Sequence, residues 1–460
     1  MKKVAVFLDT GLTQIAGGTH QSRIGREEIG ALLVAACVER DAGWEVRYIR
    51  PNTQDVDQIE REIGNGRCDA LVLFPYTCTK WLADAVAKRF KRQVPIIYGG
   101  YHAGIGTMSE LTRAEGLADF VIAGRGDEAL PRLLQDLADG TAENAVYRNK
   151  SRAQTSSDDP YPLDALPWPK RDETLMQDLR VEPLPFLPPQ NLVRDPKHCI
   201  IVAGSLGCDG RCNFCTSWMI SPRSLHRSPK AVVDEMVWLN ETYGSGGAVF
   251  HIINPLFNAD RNWVMSLCDE MARRGPFPTV CMPDFRLDEE MVRAMKQAGI
   301  YLCMMGLEFA DSKTRNRRGK RVGDPETAYG LCDEAGIITR AFFMLGRLGM
   351  TEYDLEAEIL ALERLPFRAD QLRINFETPF PGSVTAKHCR PGDIILAEQL
   401  MTTEHPAFRT DLSEAEWQEA RERIVRDYHR SERQRQHYER KIRNHPELEF
   451  PIRDFLSRLE

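Results

Sequence analysis

Twice along this chain, short apolar runs rich in Val, Ile and Phe alternate with amphipathic stretches of helical length, and that alternation is what most narrows its fold. The first series is VAVFLD (4–9), WEVRYI (44–49), DALVLFPY (69–76), VPIIYGG (94–100) and ADFVIAG (118–124), separated by segments such as EIGALLVAACVERDAG (28–43) and EALPRLLQDLADG (128–140). Near-continuous apolar strands spaced by helices specify a parallel sheet covered on both faces. An α/β, doubly wound Rossmann-like domain is therefore expected over 1–145. Ligands on such sheets sit beyond the carboxyl ends of the strands. The loops there are DTGLTQIAGGTHQ, PYTCTKW, GGYHAGIG and GRGDEAL, three of them glycine-rich. Those glycines either let a ligand approach the backbone or only make tight turns.

Periodicity lapses over 146–196, where SRAQTSSDDPYPLDALPWPKRD and VEPLPFLPPQN mark a Pro-rich linker. The second series follows: CIIVAG (199–204), AVFHIIN (248–254), TVCMP (279–283), YLCMMGLE (301–308), TRAFFMLG (339–346) and QLRINFET (371–378). Six such units are fewer than the eight that close a full barrel, so a partial (β/α)6 barrel is expected over 197–385, with its chemistry at the C-terminal strand ends. The remaining 386–460 form a charged C-terminal helical region that includes a capping-box-like Ser413–Glu416. It is expected to be a solvated helix that packs on the barrel and carries no chemistry of its own.

Composition excludes some partners. A net charge of −7 leaves no basic surplus for phosphates, which argues against nucleic acid. No run of eighteen apolar residues exists, so no membrane span is expected, and MKKVAVFLDTGL is interrupted too soon by Asp9 to be a signal peptide. A cytoplasmic protein, with reduced thiols, is the expectation. Its twelve cysteines are then not a disulfide framework. Most are scattered singly, but GSLGCDGRCNFCTSW (204–218) packs Cys208, Cys212 and Cys215 together. A structural zinc wants four protein ligands, and His226 is the nearest histidine, alone. Three thiolates leaving one iron of a cubane open fit better. Gly204, Gly207 and Gly210 would let the backbone wrap it, and no spacing at Cys281, Cys303 or Cys389 signals a second cluster.

CDGRCNFC has the CxxxCx(aromatic)C form and resembles the radical S-adenosylmethionine (SAM) superfamily. GLEFAD (306–311), FMLGRLGMT (343–351) and TPFPGS (378–383) resemble later motifs of its partial barrel. The second of these departs from the usual G-x-P-G-x-T, with Arg347 and Leu348 in the middle. The resemblance implies a [4Fe–4S] cluster on Cys208, Cys212 and Cys215, and SAM bound near Phe214, Gly306, Glu308 and Gly346. It also implies a 5′-deoxyadenosyl radical that abstracts hydrogen from a substrate, and an electron donor such as flavodoxin or ferredoxin.

The first domain resembles that of the cobalamin-binding class through GGYHAG (99–104) and GRGDEALPRLL (124–134). Arg125 replaces the usual acid there and no D-x-H-x-x-G occurs, so cobalamin is not favoured. Asp284 and Glu377, at strand ends, are the candidate catalytic carboxylates, although Asp284 could simply pair with Arg286. The combination is similar to the radical SAM diol dehydratases of aminoglycoside biosynthesis. It implies a lyase-type deoxygenation of a small polar, amino-sugar-like natural product in antibiotic biosynthesis, with a cobalamin-dependent radical C-methyltransferase as the alternative.

Overall fold

The structure, a computed structural model, describes every residue except 11–27, 52–54, 106–107, 109–111, 113–114, 144, 149–161, 173–174, 177–183, 222, 245–246, 312–313, 316–317, 320–322, 398–400 and 460. The glycine-rich loop after the first strand thus lies mostly outside the described residues.

Strands β1 (Val4–Leu8), β2 (Glu45–Ile49), β3 (Ala70–Leu73), β4 (Ile96–Tyr98), β5 (Phe120–Ala123) and β6 (Val146–Arg148) form one parallel sheet in the order β2-β1-β3-β4-β5-β6. Helices α2 (Val56–Gly64) and α3 (Lys80–Phe90) bury Ile59, Ile63, Leu82 and Val86 against Val6, Leu8, Leu71 and Leu73. On the other face α1 (Ile29–Cys37) and α4 (Ala129–Asp139) bury Ala35, Leu130 and Leu133 against Ala5, Phe7 and Val72. Both faces of β1 are covered, which is why its sequence is apolar without alternation. Strand β6 was not expected, and it falls inside the segment read as linker. With three residues at the sheet edge it is too short to show a period. The strand order reverses between β1 and β3, which opens a crevice at their carboxyl ends.

The second sheet holds β7 (His198–Ala203), β10 (Ala248–Ile253), β11 (Thr279–Cys281), β12 (Ile300–Glu308), β13 (Ile338–Leu345) and β14 (Gln371–Phe376), side by side in chain order and all parallel. Two-residue strands β8 (Ser205–Leu206) and β9 (Leu225–His226) pair antiparallel around the cysteine loop. Strands β7 and β14 end the sheet, so it is an open, partial (β/α)6 barrel, as the count of strands implied. Its outer helices are α5 (Pro229–Leu239), α6 (Arg261–Arg274), α7 (Glu289–Gln297), α8 (Pro325–Glu334) and α9 (Glu352–Glu363). Each starts at a side-chain cap, respectively Ser228, Asp260, Asp288, Asp324 and Thr351.

The C-terminal region packs on the barrel, as expected, but with three helices rather than one. Its helices α10 (Glu414–Arg430), α11 (Glu432–Asn444) and α12 (Glu449–Ser457) bury Trp417, Ile424, Tyr438 and Ile452 against the barrel. Lys441 donates to Asp370 Oδ2 (2.6 Å) and to the Ile337 carbonyl (2.8 Å), and His437 Nε2 meets Asp370 Oδ1 at 3.0 Å. Burial alone would raise the Asp370 carboxyl, but Lys441 and His437 outweigh it and hold it well below the usual range. This cluster lies at the start of β14, away from the catalytic end. No helix among the described residues is long and apolar enough to cross a membrane.

Two buried histidines make stability depend on pH. Burial pushes His102 and His429 each down to about 4, whereas an unfolded histidine titrates near ~6.5. Their contribution is therefore complete above ~6.5 and lost as pH falls towards 4, roughly 2 kcal/mol each by pH ~5. Urea melts at neutral pH and at pH ~5 should show that drop. H429Q keeps an acceptor for the Leu372 N–H, now held by His429 Nε2 (3.3 Å), and should remove its share of the slope.

Candidate active site

The cysteine loop leaves the carboxyl end of β7 under tight steric limits. A Cβ on Gly204 would lie 2.4 Å from Asn254 Oδ1, and one on Gly207, at φ 81°, 2.0 Å from the Arg223 carbonyl. Backbone bonds then set the loop: Cys208 N–H donates to Ser221 O (3.1 Å), Cys215 N–H to Cys212 O (3.1 Å) and Asn213 N–H to Arg318 O (3.0 Å). None of the three thiols is in a disulfide, and all are partly accessible. The Gly210 N–H donates to Cys208 Sγ (3.3 Å), a contact that stabilises a thiolate. Among the described residues no three ligating side chains converge as they would on one ion. A cubane asks for something wider, with each thiolate on a different iron.

Around this loop several buried polar atoms have no partner among the described residues. Both side-chain amide atoms of Asn254, at the end of β10, are in this state, as are Ser205 Oγ, Ser224 Oγ and Trp218 Nε1. Buried groups left this way mark a place where a polar ligand would complete them. Phe214 meets Phe309 edge-on, at 6.4 Å and 77°. Glu308 ends β12 at φ 61°, beside a register shift that begins at Gly306. Gly346 ends β13 at φ 64°, and a Cβ there would press on the Phe376 ring at 3.0 Å. The residues named for the cluster and SAM thus share one end of the barrel, and their donor set and open polar atoms fit those groups.

The two candidate carboxylates differ. Asp284 is taken up by its neighbours: Arg286 donates through Nε (2.9 Å) and Nη2 (2.7 Å), and Asn258 Nδ2 donates at 3.0 Å. What it presents is the Arg286 guanidinium, half exposed and close enough to feel the charges of Asp209 and Cys208. Glu377 is fully buried; its Oε1 accepts from Thr385 Oγ1 (2.7 Å) and from Arg318, while Oε2 has no partner among the described residues. Burial lowers the Arg318 guanidinium, and the Arg347 charge adds to that. Arg318 escaped the sequence reading because RNRRGK (315–320) looks like a solvated basic run.

The first domain turns its crevice to this end of the barrel. A Cβ on Gly382, in the turn after β14, would touch Ile105 at 2.8 Å and Met219 at 3.2 Å, so the loop after β4 and the short helix Ser217–Ile220, just after the cysteines, meet at that glycine. Tyr76 donates to Glu28 (2.8 Å), and Tyr101 stacks on Tyr76 at 5.7 Å and 14°. Tyr101 keeps 50% of its surface open. Its phenol is pushed up first by desolvation, then by Glu28 and Cys215. The Gly104 carbonyl accepts from the Gly124 N–H (2.8 Å), and a Cβ on Gly104 would lie 2.6 Å from the Gly100 carbonyl, so its own tight turn requires that glycine. Arg125, which stands where an acid was expected, forms a two-point pair with Asp127 at 3.0 and 2.7 Å. For a corrin these residues supply a crevice and an aromatic floor. His102 is buried with Nδ1 3.1 Å from Thr77 Oγ1, while its Nε2 has no partner among the described residues.

An open (β/α)6 barrel with three thiols after its first strand, behind a doubly wound domain, defines a two-part enzyme of radical chemistry. Residues 202–362 match the radical SAM superfamily and residues 26–134 the B12 binding domain. The chain carries a radical SAM domain behind an N-terminal B12-binding domain, and a radical SAM domain implies a [4Fe–4S] cluster and SAM.

In sequence it is similar to the anaerobic magnesium-protoporphyrin IX monomethyl ester cyclase of Cereibacter sphaeroides, 26% identical over 56% of this chain and 43% of that protein. It is also similar to the hopanoid C-3 methylase of Methylococcus capsulatus, 23% identical over 78% of this chain and 67% of that one. The chain spans about half the length of the cyclases it matches. Its fold is similar to that of the methyltransferase TsrM from Kitasatospora setae with cobalamin and a [4Fe–4S] cluster bound (TM-score 0.59, 18% identity, 84% of this chain and 77% of that one). It is similar too to the cobalamin-dependent radical enzyme OxsB with aqua-cobalamin bound (TM-score 0.55, 13% identity, 79% and 52%).

Proposed function

We propose that the protein is a cobalamin-dependent radical SAM enzyme that methylates a carbon of a small polar metabolite. The observation that carries this is the approach of the two domains at Gly382, where Ile105 of the B12-binding domain and Met219, just after the cluster cysteines, both close in. It weighs against the expectation that cobalamin is not used. The matched B12 domain and the methyl-transferring relatives favour methylation over the dehydration expected from sequence.

The bound cofactors supply one-electron cleavage of SAM and a carrier for the methyl group. The chain's own residues do the rest. Cys208, Cys212 and Cys215 hold the cluster, while Phe214, Gly306, Glu308 and Gly346 orient the adenosine. Tyr76 and Tyr101, stacked on one another, floor the crevice. Asp284 fixes the Arg286 guanidinium, which offers donors to a hydroxyl or anionic group of the substrate. A flavodoxin- or ferredoxin-type protein delivers the electron.

A second reading, radical deoxygenation of an amino-sugar-like diol, is favoured by one observation. Glu377 Oε2 is a buried carboxylate oxygen without a partner among the described residues, suited to take a hydroxyl proton. The two readings part in one experiment: anaerobic reconstitution, then turnover with dithionite and SAM, with and without cobalamin. S-adenosylhomocysteine that requires cobalamin is the expected result. 5′-Deoxyadenosine alone, indifferent to cobalamin, would overturn methylation and leave deoxygenation.

A further inference from the structure

The geometry points to Arg347 and Glu358 as a positioning pair for SAM: together they hold the corner 308–310 and, through Phe309, the ring of Phe214 in the shape that receives the adenosine. The inference rests on the radical SAM reading above. It concerns a part of this chain that departs from the superfamily pattern.

Strand β12 does not end regularly. Its register with β13 shifts between Gly306 and Glu308, and Glu308 sits at φ 61°. A residue with a Cβ holds that conformation only when its surroundings impose it, at a cost of ~1–3 kcal/mol. Two side chains impose it here. Arg315 Nη1 donates to the carbonyls of Phe309 (2.5 Å) and Ala310 (3.0 Å). Glu358, reaching in from α9, accepts the Ala310 N–H at 3.3 Å through Oε2.

Glu358 is buried, and a lone buried carboxylate would be costly. Arg347 answers it, donating from Nη1 to Glu358 Oε1 at 2.7 Å. The same guanidinium lies over the Phe309 ring, 5.2 Å from its centre, and Phe309 in turn meets Phe214 edge-on. One arginine in the turn after β13 therefore touches both fixtures of the adenosine corner, the strained backbone and the aromatic pair. A lysine could keep the charge but not the flat face over Phe309.

The test uses the reconstituted full chain with R347K, E358Q and the double variant Arg347→Met/Glu358→Gln, which strands no charge. Iron and sulfide content and melting temperature report the fold and the cluster. Equilibrium dialysis gives the Kd for SAM, and the change SAM causes in the electron paramagnetic resonance signal of the reduced cluster reports how it is seated. R347K and E358Q should keep the cluster and melt near the wild type, yet bind SAM about tenfold more weakly, with a smaller SAM-dependent spectral change. The double variant should be weaker still; if it fails to fold, the single variants carry the result. Kd values within twofold of wild type would overturn the proposal. A wild-type protein that binds no SAM would overturn the radical SAM reading instead, and this inference with it.

Discussion

Replacing Cys208, Cys212 or Cys215 with alanine should give a folded protein that makes no 5′-deoxyadenosine. On the proposed reading each thiolate would serve a separate iron, so two would not hold the cluster with one site kept open for SAM. The fold should survive because the loop is fixed by its backbone. The Cys208, Asn213 and Cys215 amides are all engaged, and the Thr385 N–H donates back to Asn213 O at 3.0 Å. The expected signature is loss of iron and of the cluster's visible absorption, with the melting temperature of the metal-free protein nearly unchanged. C281A and C303A are the contrast. Both thiols are fully buried with sulfurs 3.8 Å apart, so these variants should lose stability and keep the cluster. Deoxyadenosine made at the wild-type rate by any of the three loop variants would remove that cysteine from the ligand set.

The cysteine loop was legible because its chemistry is local: three thiols, three glycines and an aromatic within a dozen positions. Both sheets were legible for a related reason, since a strand covered on both faces needs an unbroken apolar run and a helix on each side. Asp284 and Arg286 were also readable as a pair, being two residues apart. What stayed hidden depends on contacts far along the chain. Arg318 reaches Glu377 across 59 residues and Arg347 is completed by a glutamate on the next helix, and neither leaves a period or a spacing. At Glu308 the residue type was visible, but its left-handed backbone follows from neighbours on two other elements. The C-terminal region read as a solvated cover on the barrel because it is highly charged, yet Lys441 is buried against Asp370, just before β14. The segment read as linker hid most, because Pro, Ser and Asp suggest a chain touching nothing.

That segment carries the second large effect. Glu235 on α5 is fully buried between two arginines: Arg171 donates to it at 2.8 Å from the linker, and Arg227 at 2.5 Å from beyond β9. Arg171 also donates to the Ile201 carbonyl (2.7 Å), and Arg227 to that of Ala203 (3.1 Å), so both are anchored on β7, the strand that launches the cysteine loop. E235A should cost about 3–5 kcal/mol, because it leaves two buried guanidiniums without their countercharge. Replacing all three by Met, Leu and Met should cost much less, since nothing charged is then stranded. Urea unfolding measures both, and a loss below ~1 kcal/mol for E235A would mean that water or carbonyls already satisfy the arginines. The neighbour of Arg171 extends the consequence. Lys170 is tied the other way, its N–H to Leu32 O (3.0 Å) and its ammonium to Val46 O (2.9 Å) in the first domain. Two adjacent residues thus rivet the B12-binding domain to the barrel at a distance from the chemistry. K170A should therefore leave SAM cleavage close to wild type while lowering any product that depends on cobalamin. If both fall together, the rivet supports the barrel alone and the domains are aligned by the Ile105 contact instead.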